Sequence, residues 1–126
     1  MSSIAADTSS LVAFLAGETG PDVERIDAAL GAEELKLPPP VLSELLSKPR
    51  RTQIESALLR VPLIDLTEGF WKRAGETRAA LLAKGYKAAM SDVLIAQACI
   101  DADVPLIVRD SDYRHFAQWC GLKLAV

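Results

Sequence analysis

One stretch constrains the fold of this chain more than any other: Asp92-Val93-Leu94-Ile95-Ala96-Gln97-Ala98-Cys99-Ile100. At 100° per residue, its seven apolar side chains cover nearly the whole circumference of a helix, which must therefore be buried on most sides. The chain also carries short apolar runs at Ile4-Ala5-Ala6 and Leu106-Ile107-Val108. Runs of that length without polar alternation suit strands buried on both faces of a sheet.

Between these landmarks, strands and helices alternate. Helices are predicted over residues 9–16, 21–30, 41–47, 51–59, 70–83 and 92–102, and strands over 4–6, 35–37, 63–66, 106–108 and 122–125. Pro21 and Gly31 bracket the second helix, and Pro38-Pro39-Pro40 marks a turn into the third. Thr67 is the expected N-cap of helix 70–83, with Glu68 in its first turn, and Ser91 that of helix 92–102. Such alternation implies an α/β fold, a parallel sheet with helices on both faces. At 126 residues, half of them apolar, one domain spanning 1–126 is expected.

Several classes are excluded by composition. No apolar run approaches the ~20 residues of a membrane span, and Met1-Ser2-Ser3-Ile4 lacks the basic and apolar regions of a signal peptide, so a cytoplasmic protein is expected. One histidine, His115, and two separated cysteines, Cys99 and Cys120, supply no zinc-type ligand set. Cys99, inside the apolar helix, reads as a small hydrophobe. Any metal would have to be a hard ion held by oxygen.

The net charge of −3 conceals an asymmetry. Residues 1–47 hold eight acids and two bases, whereas residues 48–126 hold nine acids and twelve bases. The basic part is either a solvated helix surface or a seat for a polyanion, since local field governs encounter.

Acids follow the apolar strands: Asp7 after the first, Asp110 and Asp112 after 106–108. In a parallel sheet both strand ends lie on one edge, the edge where open α/β folds place their sites. Asp92 opens the buried helix, and Glu44 lies at the edge of the apolar arc of helix 41–47. Singly, each has an ordinary reading: Asp7 as a cap, Asp92 as a helix-dipole partner, Asp110 and Asp112 as turn formers, Glu44 as a surface acid. Converging, they need a cation, because two carboxylates ~4 Å apart repel by about 4 kcal/mol at an effective dielectric of 20. Mg²⁺ or Mn²⁺ answers that need, and the chemistry indicated is phosphodiester hydrolysis.

Four segments together carry a family resemblance: Ala6-Asp7-Thr8-Ser9-Ser10-Leu11, Pro40-Val41-Leu42-Ser43-Glu44-Leu45, Ser91-Asp92-Val93-Leu94-Ile95-Ala96 and Leu106-Ile107-Val108-Arg109-Asp110-Ser111-Asp112-Tyr113. In this order and spacing the chain resembles the PIN-domain ribonucleases of the VapC toxin type, from end to end. The resemblance implies a small α/β/α sandwich and a Mg²⁺- or Mn²⁺-dependent endoribonuclease. It implies Asp7, Glu44, Asp92 and Asp110 as the metal-binding acids, with Asp112 as an auxiliary acid. Within that set Asp7 and Asp92 are expected as the core metal ligands, Asp110 as the ligand completing the site, and Glu44 as the residue that holds or orients the attacking water. Implied partners are RNA, a cognate antitoxin whose C-terminal segment wraps the toxin, and a second copy of the chain. Val108 departs from the Thr or Ser that relatives commonly carry there. Arg50, Arg51, Arg73, Lys87 and Arg109 are candidates for holding the RNA backbone, and Phe70, Trp71, Ala74, Leu81 and Leu82 are either core or contact residues.

Two competing readings are a PIN-like module that binds a protein without catalysis, and a receiver- or phosphatase-like domain with a nucleophilic Asp. The second lacks an evident lysine-bearing strand end, and the chain has no Gly-rich phosphate loop.

Overall fold

A computed structural model of the chain describes residues 2–47, 53–109 and 111–126. Three strands form a parallel sheet in the order β2-β1-β3: β1 (Ile4–Ala6), β2 (Leu35–Lys36) and β3 (Leu106–Ile107). Ile4 stands opposite Leu35, and Ala5 and Ala6 stand opposite Leu106 and Ile107. The central strand β1 is entirely buried, as its unbroken apolar sequence requires. The expected strands 63–66 and 122–125 shrink to single parallel bridges, Leu37 with Leu63 and Leu106 with Leu124, so the ladder extends by one residue pair on each side. Leu63 and Leu124 are partly exposed there, too far out on the sheet to be drawn into the core.

The described helices are α1 (Thr8–Leu15), α2 (Pro21–Gly31), α3 (Pro39–Leu46), α4 (Gln53–Leu58), α5 (Phe70–Ala83), α6 (Met90–Ala102) and α7 (Arg114–Trp119), with a 3₁₀ turn at Ser111–Tyr113. From β1 the chain steps outward to β2 and the Leu63 bridge, then crosses back over β1 to β3. Helix α1 packs on α2, and α6 packs on both α5 and α3, so that helices enclose the fully buried strand β1. This is the expected α/β sandwich. The winding reverses between β1 and β3, making the carboxyl ends of those two strands the topological switch point.

Local signals account for most helix ends. Asp7 caps α1, its Oδ1 accepting from the Ser10 backbone N–H at 3.0 Å. Pro39 and Pro40 lie within the first turn of α3 rather than before it, because the first N–H groups of a helix have no intrahelical acceptor to lose. Two expected caps are corrected. Helix α5 begins after Gly69, and the Thr67 hydroxyl instead accepts from Arg73 Nη2 at 2.8 Å. Helix α6 begins at Met90, with Ala89 as its N-cap and no side-chain capping bond.

Helix α6 is the buried helix that the sequence demands, with Val93 and Ile95 to Cys99 all inside. Its buried polar residue Gln97 is satisfied across the α5–α6 interface: its Nε2 donates to Asp101 Oδ1 at 2.8 Å, and Thr77 Oγ1 donates to its Oε1 at 2.5 Å. Arg73 closes that network on Asp101 through Nε and Nη2. Burial pushes the Cys99 thiol up to about 12, as suits a cysteine serving as a hydrophobe. On α5, Phe70, Ala74 and Leu81 pack inward, whereas Trp71 is 68% and Leu82 46% exposed. No described helix is long and apolar enough to cross a membrane.

Candidate metal centre

At the switch point, the loop leaving β1 becomes the first turn of α1. The Asp7 amide donates to Ile107 O at 3.0 Å, which docks the end of β1 against β3. Its carboxylate is only 3% exposed, and both oxygens are oriented: Oδ1 by the Ser10 amide, Oδ2 by the Ser9 hydroxyl at 2.8 Å. The capping and site readings of Asp7 are therefore compatible, since the cap aims the carboxylate.

Asp7, Glu44 and Asp92 line a single cavity of about 440 Å³, together with Thr8, Arg109 and Tyr113 among others. Three separate elements converge here: the end of β1, the middle of α3 and the first turn of α6. Glu44 is exposed, yet its Oε1 accepts from Thr8 Oγ1 at 2.7 Å, which turns it toward α1. Tyr113, buried in the turn after β3, donates its hydroxyl to Asp92 Oδ1 at 3.3 Å. Thr8 and Tyr113 thus orient two of the acids, and neither follows from local sequence pattern, because each reaches across 36 or 21 residues.

Asp110 lies outside the described residues. Asp112, on the 3₁₀ turn, lines a neighbouring cavity that also includes Asp92. Among the described residues no three His, Cys, Asp or Glu side chains are grouped closely enough to hold a metal ion. Asp7, Glu44 and Asp92, with Glu18 as a fourth acid, share a cavity wall instead of one point. The donor set is nonetheless hard oxygen, with no thiol or imidazole on this wall. That chemistry suits Mg²⁺ or Mn²⁺, ions that keep several waters and need few direct protein ligands.

The PIN-domain family model matches residues 4–118. The chain belongs to the PIN-domain family. Among solved structures, it is similar to a chain of VapBC2 from Rickettsia felis bound to a DNA fragment from their promoter, with 24% identity, a TM-score of 0.67 and 96% of each chain covered. It is also similar to a chain of VapBC-5 from Mycobacterium tuberculosis, a member of the VapBC family of toxin-antitoxin systems (18%, 0.66, 98% of each chain). A third is FitAcB from Neisseria gonorrhoeae (16%, 0.67, 96% of this chain and 95% of that one). At such identities the likeness is one of fold, and it agrees with the end-to-end resemblance in sequence. No curated protein sequence matches the chain.

Two of the arginines expected to face RNA are engaged within this PIN domain. Arg73 is held by Asp101 and Thr67 on the α5–α6 side. Arg109 grips Asp22 at the start of α2 through Nε and Nη2 (2.8 and 3.1 Å), and it also donates to Thr19 O and faces Glu18 at 3.5 Å. Asp22 is buried, which by itself raises a carboxyl pKa, but the hydrogen bonds from Arg109 and the Val23 amide outweigh burial and hold it below the usual carboxylate range. Arg109 is raised in turn, mainly by its hydrogen bonds to Asp22 and more weakly by the field of Asp7. Gly20 makes this grip possible, since a Cβ there would stand 2.8 Å from Asp22 Oδ1 and 3.2 Å from Arg109 Nη2. Arg50 and Arg51 lie outside the described residues, and Lys87 is exposed.

Proposed function

We propose that this PIN domain is a Mg²⁺- or Mn²⁺-dependent endoribonuclease that hydrolyses RNA phosphodiester bonds, and the toxin of a toxin–antitoxin pair. The observation that carries the reading is the convergence of Asp7, Glu44 and Asp92 on one cavity at the switch point of the sheet. Asp7 and Asp92, with Asp110, which follows Arg109 in the sequence, are the residues to hold the ion. When bound, such an ion lowers the pKa of a water and offsets negative charge on the phosphoryl oxygens. Glu44 positions the attacking water: Thr8 holds its Oε1, which leaves Oε2 as the oxygen to accept the proton the water must lose. The capping bonds of Asp7 and the Tyr113 hydroxyl on Asp92 keep those carboxylates in place. No side chain forms a covalent intermediate in this scheme.

The partner proposed is a cognate antitoxin, supported by fold neighbours that are VapBC complexes. A homodimer is proposed on α5, where Trp71 and Leu82, eleven residues and three helical turns apart, present one exposed apolar face. The test is sequencing of RNA 5′ ends after incubation of total RNA with purified wild type in Mn²⁺, beside Asp7→Asn and an EDTA control. New 5′ ends confined to wild type with Mn²⁺ are expected. Equal cleavage by Asp7→Asn, or none by wild type, overturns the reading.

A further inference from the structure

Beside the acid cavity lies a second one of about 460 Å³, and Asp92 belongs to the wall of both. Its character is different: Tyr86, Lys87 and His115 line it, along with Ser111 and Asp112. The Tyr86 and His115 rings are stacked, with centroids 3.7 Å apart and planes at 22°. Both residues stay partly exposed and line the cavity wall.

The loop that carries Tyr86 is fixed before any ligand arrives. Gly85 ends α5 in the left-handed region (φ 86°), and the Tyr86 amide returns to Leu81 O at 3.1 Å. The Tyr86 hydroxyl accepts from Trp119 Nε1 at 3.3 Å, and Lys84 Nζ lies 4.0 Å from the Trp119 ring centre. Farther along, Ala88 O accepts from Arg78 Nε at 2.7 Å. An aromatic wall held this way binds at little cost in ordering.

We infer that this cavity is a nucleotide subsite, taking the unpaired base next to the scissile phosphate against the Tyr86–His115 pair, with Lys87 on that nucleotide's phosphate. A half-exposed aromatic face with a cation beside it is the chemistry by which single-stranded nucleic acid is held, since every base offers a π-face. Volume agrees, as pockets for small organic groups run from about 300 to 1,000 Å³. Because Asp92 is common to both walls, a base seated here has the scissile phosphate on its other side directed at the acids, while Lys87 holds the phosphate away from them. The inference rests on the nuclease reading above and names a substrate contact for it.

The test uses fluorescein-labelled 12-mer RNAs spanning a site that wild type cuts in Mn²⁺, intact and with single abasic positions. One abasic position beside the cut raises the wild-type KM about tenfold, the order of one lost base stack, with kcat much less affected. Tyr86→Ala raises KM similarly on intact RNA and becomes indifferent to that abasic position. Lys87→Gln, at an exposed position where folding is not at stake, raises KM and lowers the slope of affinity on salt by about one. Unchanged KM in both variants, or abasic and Tyr86→Ala effects that simply multiply, overturns the subsite. If Tyr86→Ala fails to fold by circular dichroism, Tyr86→Leu is put to the same comparison. If wild type cuts no RNA, the nuclease reading falls, and anisotropy titration of an unstructured fluorescein-labelled 12-mer RNA of mixed sequence decides the subsite: binding about tenfold weaker in the Tyr86 variant supports it, and equal binding overturns it.

Discussion

Asp7 has two separable jobs, and two substitutions divide them. Asp7→Ala removes the α1 cap, which consists of the bond to the buried Ser10 amide and the bond from Ser9 Oγ. Water cannot replace the first, because Ser10 is fully buried. The loss therefore falls in the upper part of the capping range, about 1.5 kcal/mol. Asp7→Asn keeps an oxygen for the Ser10 amide, and Asn ranks with Asp as a cap. Both substitutions delete the same charge beside Glu44 and Asp92, so any relief of repulsion is common to them and the difference between them reads the cap alone. For a domain of this size, that difference corresponds to a melting temperature about 5 °C lower in Asp7→Ala than in Asp7→Asn, measured by circular dichroism. Metal binding gives the complementary result. Mn²⁺ at a hundred times its Kd stabilises wild type by about 2.7 kcal/mol, and neither variant shows this gain. The reasoning is refuted if Asp7→Asn melts with Asp7→Ala, or if either variant is still stabilised by Mn²⁺ as wild type is.

Other outcomes follow from the Arg109–Asp22 grip and the thiols. The Asp22 carboxyl is held below the usual range in the folded chain, so on acidification the unfolded chain takes up its proton first. Stability from this group is thus fully present above its unfolded pKa, ~3.9, and is lost as pH falls through the lower folded value. Asp22→Asn should flatten the acid limb of a urea-stability profile, and an unchanged limb would count against the pairing. Gly20→Ala places a Cβ at a φ of 147° and against Asp22 Oδ1, so it should cost about 1–3 kcal/mol in urea unfolding. Buried Cys99 should resist a thiol reagent at pH 8 until the chain unfolds, while half-buried Cys120 reacts in the native state; prompt modification of both would contradict the burial of α6.

The sequence alone determined what depends on neighbours along the chain. The apolar circumference of 92–102 dictated a buried helix, the unbroken apolar runs at Ile4–Ala6 and 106–108 indicated buried strands, of which 106–107 forms, and Asp7 before Ser10 offered a cap, because each is a matter of period or of contacts a few residues away. The same locality explains its errors. Thr67 has the residue type of a cap, but Arg73 claims its hydroxyl from one turn into the helix. What local pattern also leaves out is that Arg109 pairs with Asp22, 87 residues earlier.

Only the tertiary structure decided which acids line one cavity. Glu44 is unremarkable by periodicity, and it joins Asp7 because Thr8 reaches across to it from α1. The Tyr86–His115 wall beside Asp92 likewise exists only because α7 packs near the loop after α5. Charge pairing and ring stacking act over a few ångströms in space at any separation in sequence, so the winding reversal of the sheet, and no local pattern, selects them.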